Sequence, residues 1–324
     1  MQLRVLSADH VRAALPMPAA IEAMREAFAQ LAQGQAEVPL RTPVRTPAGV
    51  TLFMPGYLAG SSALAQKIVS IYPGNQSLGL PSLNGLVIVL DPATGFPRAI
   101  LDGGTLTAIR TGAASGLATD LLARPESSVL ALFGAGGQAY DQVTGVRAVR
   151  PLQEVRIVSA HGERCVVLAE RLQREGLAAR SVRDPGEAVR GAAIIACATT
   201  SHRPLFRDED VAPGTHINAV GAFTPEMQEV PPSTVARASV VIDQLEAALA
   251  EAGDLLKPLA AGLIEQGHFE TTLGEVVLGQ APGRRSPEEI TLFKSVGLAA
   301  QDVAAASRAL ARAEAEDLGV VVTV

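Results

Sequence analysis

Apolar residues recur along this chain with two periods, and the switches between them divide it. Val5 and Leu6 read as a short strand, with Ser7 capping a helix over residues 8–15. After Pro18, which suits the first turn of a helix, Ile21, Met24, Phe28 and Leu31 fall at helical spacing until Gly34 ends the run. From Val38 to Asp102 the pattern shortens to VPLRTPVRT, TLFMPGYL, LAQKIVSIY, NGLVIVL and PRAILD, broken by Pro, Gly and Asn. These runs predict a mainly antiparallel sheet or partial barrel. A long helix rich in Ala and Gly is predicted from Thr105 through Leu122, and Arg124-Pro125-Glu126 reads as a linker.

Beyond the linker, strands and helices alternate. Strands are predicted at 129–133, 154–158, 179–182, 192–198, 216–220 and 240–243, then ITLFKSVG. Helices are predicted at 137–148, 162–175, 185–190, around 245–265, at 287–289, and finally over the Ala-rich stretch 298–317. Such alternation predicts a doubly wound parallel sheet. Its first strand leads into Gly134-Ala135-Gly136-Gly137-Gln138-Ala139, with Gly134, Gly136 and Ala139 at the spacing G-x-G-x-x-A. A pyrophosphate must approach main-chain N–H groups at a helix start, and a Cβ at the second glycine would stand in its way. Strand, glycine turn and helix in this order predict a dinucleotide site.

Composition narrows the class. The 324 residues suffice for two cored domains, and 48% hydrophobic content with 3% aromatics and no Trp puts Ala, Val, Leu and Ile in those cores. No apolar run reaches the length of a membrane span, and the first ten residues lack the pattern of a secretory signal, so a cytoplasmic protein without membrane attachment is expected. A net charge of −6 without basic runs argues against nucleic acid. Cys165 and Cys197 form neither a metal spacing nor a disulfide framework, and the five histidines have no ligand spacing, so no metal is expected. His216, just before an apolar strand, reads as a structural group rather than a base.

In dinucleotide folds selective for NAD, a carboxylate follows the second strand, about twenty residues past the glycines. Here the segment is Ser159-Ala160-His161-Gly162, with Arg164 close behind. Ser159, His161 and Arg164 are all able to donate to a 2′-phosphate, which favours NADP(H), with NAD(H) as the alternative.

The segments LDGGTLTAIRTGAASGLAT, FGAGGQA, HINAVGAFTPEMQEV and ITLFKSVGLAAQDVA, in this order over nearly the whole chain, resemble the ornithine cyclodeaminase and mu-crystallin family. The resemblance implies a homodimer with a Rossmann-type dinucleotide domain at 125–297. It also implies an α+β substrate-binding and dimerisation domain at 1–124, to which 298–324 returns. It implies nicotinamide chemistry at the C–N bond of amino acids or imines, with Arg41, Lys67 and Arg110 holding the substrate carboxylate. Two guanidinium forks and an ammonium suit that anion, and an Arg on the apolar helix of Arg110 demands an anionic partner. Thr111, Thr199, Val220 and Gly221 join the glycine turn as candidate cofactor contacts, and Lys294, Ser295 and Gly297 are expected to border the nicotinamide.

Where the cyclodeaminases and the alanine dehydrogenase branch carry an aspartate, this chain has Phe223. A phenyl ring neither pairs with an amine nor takes its proton, so the resemblance points to the ketimine reductase branch. The expected reaction is NAD(P)H-dependent reduction of pyrroline-2-carboxylate to proline, or of piperideine-2-carboxylate to pipecolate. Lys67, or a water held by it, is the candidate acid, with Arg110 placing the substrate. The alternatives are an ornithine cyclodeaminase or alanine dehydrogenase and, in another class, an NADPH-dependent small-molecule binding protein. Glu229 and Asp302 remain as other acids, Asp302 reading more simply as a helix-surface residue.

Overall fold

The computed structural model describes residues 2–324, leaving the side chain of Gln76 aside. The chain forms two compact units, one running to Arg110 and resuming at Leu298–Val324, the other spanning Thr111–Gly297. The division falls inside a helix, α3 (Gly103–Leu122), not at the Arg124 to Glu126 linker.

The first unit begins with β1 (Gln2–Leu6), α1 (Ala8–Ala14) and α2 (Met17–Ala32). Five of its strands match the five apolar runs: β3 (Thr42–Thr46), β4 (Gly49–Leu58), β5 (Ala63–Ile71), β6 (Leu83–Leu90) and β7 (Pro97–Asp102), with a two-residue β2 (Ala36–Glu37) ahead of them. The strands from β2 to β7 pair antiparallel, and β1 joins β7 in parallel. A strand that the apolar pattern does not predict, β15 (Val320–Thr323), closes the edge against β1. Its run of β-branched residues suits a strand, but it is only four residues long and lies mostly exposed at the sheet edge.

One face of this sheet carries α11 (Ala299–Ala315), whose alanines let the helix lie close. Gly56 shows how close: a Cβ there would meet Val303 at 3.0 Å and the Ala299 methyl at 3.2 Å. Alternation along β5 buries Ala63, Ala65, Lys67 and Val69 on one face and leaves Leu64, Gln66 and Ile68 half-buried on the other. A lysine therefore occupies a core position.

The second unit holds a parallel seven-stranded sheet in the order β10-β9-β8-β11-β12-β14-β13. These are β8 (Val129–Phe133), β9 (Glu154–Val158), β10 (Ala178–Ser181), β11 (Ile194–Cys197), β12 (His216–Ala219), β13 (Ser239–Ile242) and β14 (Thr291–Lys294). The helices are α4 (Ala139–Val149), α5 (Gly162–Arg174), α6 (Pro185–Val189), α7 (Pro232–Arg237), α8 (Leu245–Glu251), α9 (Gly253–Ala260) and α10 (Leu273–Val277). The helix expected around 245–265 is thus two short ones, and Pro287 to Glu289 is a turn rather than a helix. Strand order reverses between β8 and β11, which is where an open α/β sheet forms its crevice. No helix among the described residues is long and apolar enough to cross a membrane.

The later turns of α3 are locked into this unit by a glycine crossing. A Cβ on Gly112 would stand 2.1 Å from the Asp141 carbonyl oxygen, and one on Gly145 would stand 2.0 Å from that of Gly112. Neither helix backbone can retreat without unpacking the core. The Gly112→Ala variant is therefore expected to lose about 1–3 kcal/mol and roughly 2–12 °C in Tm, measured by thermal unfolding.

Candidate functional site

In the first unit, β5, α3 and α11 each bring one charged side chain to a common buried point. Lys67 from β5 and Arg110 from α3 are 3% and 6% exposed, and Asp302, in the first turns of α11, is 1% exposed. The Lys67 Nζ lies 2.8 Å from Asp302 Oδ2, and the Arg110 Nε donates to Asp302 Oδ1 at 3.0 Å. Arg110 Nη1 donates to Gln301 Oε1, which also accepts from the Leu298 amide. Thr107 Oγ1 stands 3.5 Å from the Lys67 ammonium. Asp302 is not a helix-surface residue: a face that looks polar at helical spacing is turned inward because two buried cations require it. Arg110 has its anionic partner inside the protein.

Burial pushes the Lys67 pKa down to about 8, with the charges of Arg110 and Arg41 acting in the same direction and Asp302 opposing them. Arg41 is half-buried just ahead of β3, and its field reaches Lys67. Two cations thus share the Asp302 carboxylate and a third, Arg41, acts on Lys67, an arrangement that accommodates a further anion.

The second unit presents the dinucleotide cradle. Gly134 has φ +102°, and a Cβ on it would meet the Ala198 carbonyl oxygen at 2.6 Å, so only glycine permits the turn from β8 into α4 beside the end of β11. Cβ atoms on Gly136 or Gly137 would meet nothing within 4 Å. With Ala135, Gln138 and Ala139 they lead into α4, whose first amides point out of the helix start. Ser159 is half-buried after β9 and accepts from the His161 amide at 3.2 Å, while His161 and Arg164 are exposed. Thr111 is buried on α3.

The strand ends beyond are tied together by buried carboxylates. Glu229 Oε1 accepts from the Thr199 amide and hydroxyl, both at 2.7 Å, and Oε2 accepts from the amides of Gly221 and Ala222 at 2.7 and 2.9 Å. With four donors on it Glu229 shapes the loop, although burial and the neighbouring Asp254 carboxylate push its pKa up. Val220 is buried beneath that loop, and Phe223, half-buried, is carried on it. Lys294 does not offer its charge to a ligand: it is fully buried, pairs with Asp254 Oδ2 at 2.9 Å and donates to the Ala222 carbonyl. Ser295 and the Gly297 amide likewise bond Asp243 Oδ2, at 2.8 and 3.0 Å. His216 bonds Thr291 and Asn218, and burial lowers its pKa to about 3, which leaves it neutral and structural. No cluster of metal-ligating groups occurs among the described residues.

A family model described as ornithine cyclodeaminase/mu-crystallin matches residues 1–317. The chain belongs to that family. It is 38% identical over 319 residues to a Delta(1)-pyrroline-2-carboxylate reductase of Bacillus cereus, covering 97% of this chain and 98% of the relative. The structure of the Thermococcus litoralis Delta(1)-pyrroline-2-carboxylate reductase in complex with NADH and L-proline superposes with a TM-score of 0.95 at 38% identity, covering 98% of this chain and 100% of that one. An archaeal alanine dehydrogenase dimer with bound NAD has a TM-score of 0.93 at 35% identity, covering 100% and 99%. The relatives of this family member thus include a reductase of a cyclic imine and a dehydrogenase of an open-chain amino acid.

Glycine geometry separates binding from folding. Gly136→Val, placed in open space, should keep the wild-type Tm and weaken dinucleotide binding by at least about tenfold in a fluorescence titration. Gly134→Val should lose stability instead, because its φ and the Ala198 carbonyl both exclude a side chain.

Proposed function

We propose that this protein reduces a cyclic ketimine carboxylate, pyrroline-2-carboxylate to L-proline, with a nicotinamide dinucleotide. The observation that carries this reading is the buried group of Lys67, Arg110 and Asp302 with Arg41 beside it. The reductase relatives support it, as does the loop bearing Phe223 where an amine-handling aspartate would stand. An imine substrate has no free amine to deprotonate, so the loss of that carboxylate costs the reaction nothing.

The residues present fit a dinucleotide: the glycine turn is open above the α4 amides, at the strand-order reversal. When bound, the reduced nicotinamide supplies a hydride. Everything else is asked of the protein. Arg41 and the Nη2 edge of Arg110 hold the substrate carboxylate in a bidentate manner, which fixes the neighbouring ring carbon. Lys67 gives its proton to the ring nitrogen, which makes that carbon electrophilic. The carboxylates Glu229, Asp254 and Asp243 keep the strand-end loops rigid, so that positioning is set before substrate arrives. Gly134 to Ala139 and Thr111 contact the cofactor, with Thr199, Val220, Gly221, Ser295 and Gly297 lining its far end through backbone rather than charge.

The loop Ser159, His161 and Arg164 supports NADP(H) over NAD(H). The half-buried outer face of the first unit's sheet, where Phe53, Ile68, Ile88 and Ile100 face away from α11, supports a homodimer. The assembly of the alanine dehydrogenase neighbour supports the same reading.

The test is cofactor oxidation by the purified protein with pyrroline-2-carboxylate, beside NAD(P) with L-alanine or L-ornithine. NADPH is expected to be consumed with the imine and only slow turnover to occur with the amines. Because Lys67 acts in its protonated form, kcat/KM for the imine should be full below its pKa and fall about tenfold per unit as pH rises past about 8. Ammonia release from ornithine with a silent imine assay would overturn the reading.

A further inference from the structure

Two buried cations in the first unit share a single carboxylate. Asp302 divides its oxygens, Oδ2 to the Lys67 ammonium at 2.8 Å and Oδ1 to Arg110 Nε at 3.0 Å. The groups that face Lys67 are Arg110 and Thr107 from α3, Arg41 from ahead of β3, and Asp302 from α11. Both arginines and the loss of water favour a neutral amine, and Asp302 favours the ammonium.

We propose that Asp302 is a positioning residue for imine reduction, one oxygen keeping Lys67 charged as the proton donor and the other fixing the guanidinium plane of Arg110. The inference rests on the reductase reading above. In the balanced step, the hydride brings the electron pair of the new C–H bond. The nitrogen lone pair has by then taken the Lys67 proton, and the C=N π pair moves onto nitrogen as its new lone pair. Lys67 is left neutral and regains a proton from water. Asp302 exchanges no proton in this step, so the cluster loses one charge when Lys67 gives its proton and regains it before the next turnover. Oriented by Asp302 and Gln301, Arg110 does not have to be ordered when substrate binds.

Asp302→Asn keeps the shape and an acceptor for Arg110 but removes the charge. The chain has three lysines, Lys67, Lys257 and Lys294, so a lysine 13Cε NMR titration of the whole protein is readable, with Lys67→Arg assigning the signal. In the wild type the Lys67 midpoint is expected near 8. In Asp302→Asn it should fall by at least about one unit, and in Asp302→Glu, where the charge persists, it should stay within about half a unit. The alkaline limb of kcat/KM for pyrroline-2-carboxylate should move with the midpoint, with at least about a threefold loss at pH 7.5 that recovers at lower pH, and NADPH affinity should not change. An unmoved Lys67 midpoint in Asp302→Asn overturns the proposal, whatever the activity. If Asp302→Asn does not fold, a fall of about one unit in Asp302→Glu overturns it equally. A moved midpoint in a protein that ignores the imine would instead sink the reductase reading and leave the role of Asp302 in place.

Discussion

A lysine ammonium on the inward face of a sheet requires a counter-charge, and much of the first unit is built around supplying one. Lys67 occupies a position on β5 whose neighbours at two-residue spacing, Ala65 and Val69, are ordinary core residues. Breaking a buried pair by removing one partner typically costs several kcal/mol, so Asp302 is required wherever Lys67 is. This requirement accounts for the path of the chain. After the whole second unit, residues from Leu298 onward return to the first one and lay α11 across β4 and β5. Gly56 and the helix alanines bring the backbones close enough for so short a side chain as aspartate to reach both cations. The ends of the chain are then joined by β15 on β1.

The second unit uses carboxylates differently. Glu229, Asp254 and Asp243 accept mainly from backbone amides at the carboxyl ends of parallel strands, where loops would otherwise be free to move. Lys294 offsets the resulting negative charge near Asp254. One set of buried charges thus ties loops to strand ends while the other surrounds a lysine ammonium.

Much of the fold was legible because its signals are local. The helical spacing of Ile21 to Leu31, the five apolar runs and the G-x-G-x-x-A turn each state their own structure. What the sequence did not disclose depends on contacts between distant segments. Asp302 sits among alanines in a helix with polar residues at regular intervals, and nothing local distinguishes an inward aspartate from an outward one. The identity of its partners, 235 and 192 positions away, is what turns it inward. The one available signal was the lysine in LAQKIVSIY, since a core lysine predicts a buried acid somewhere in the chain. Lys294 misled for a related reason: its place in the family motif suggested ligand contact, whereas Asp254, forty residues earlier, consumes its charge. Arg41, Lys67 and Arg110 were legible together only through the family resemblance.

We propose that the substrate carboxylate joins the buried cation group of the first unit. The most direct measurement is a crystal structure of the protein with L-proline and oxidised cofactor. The proline carboxylate is expected within hydrogen-bond distance of Arg41 and Arg110, with the ring nitrogen near the Lys67 ammonium and the Lys67–Asp302 pair intact. A proline carboxylate bound away from Arg110, or Lys67 turned away from Asp302 and from the ligand, would contradict it.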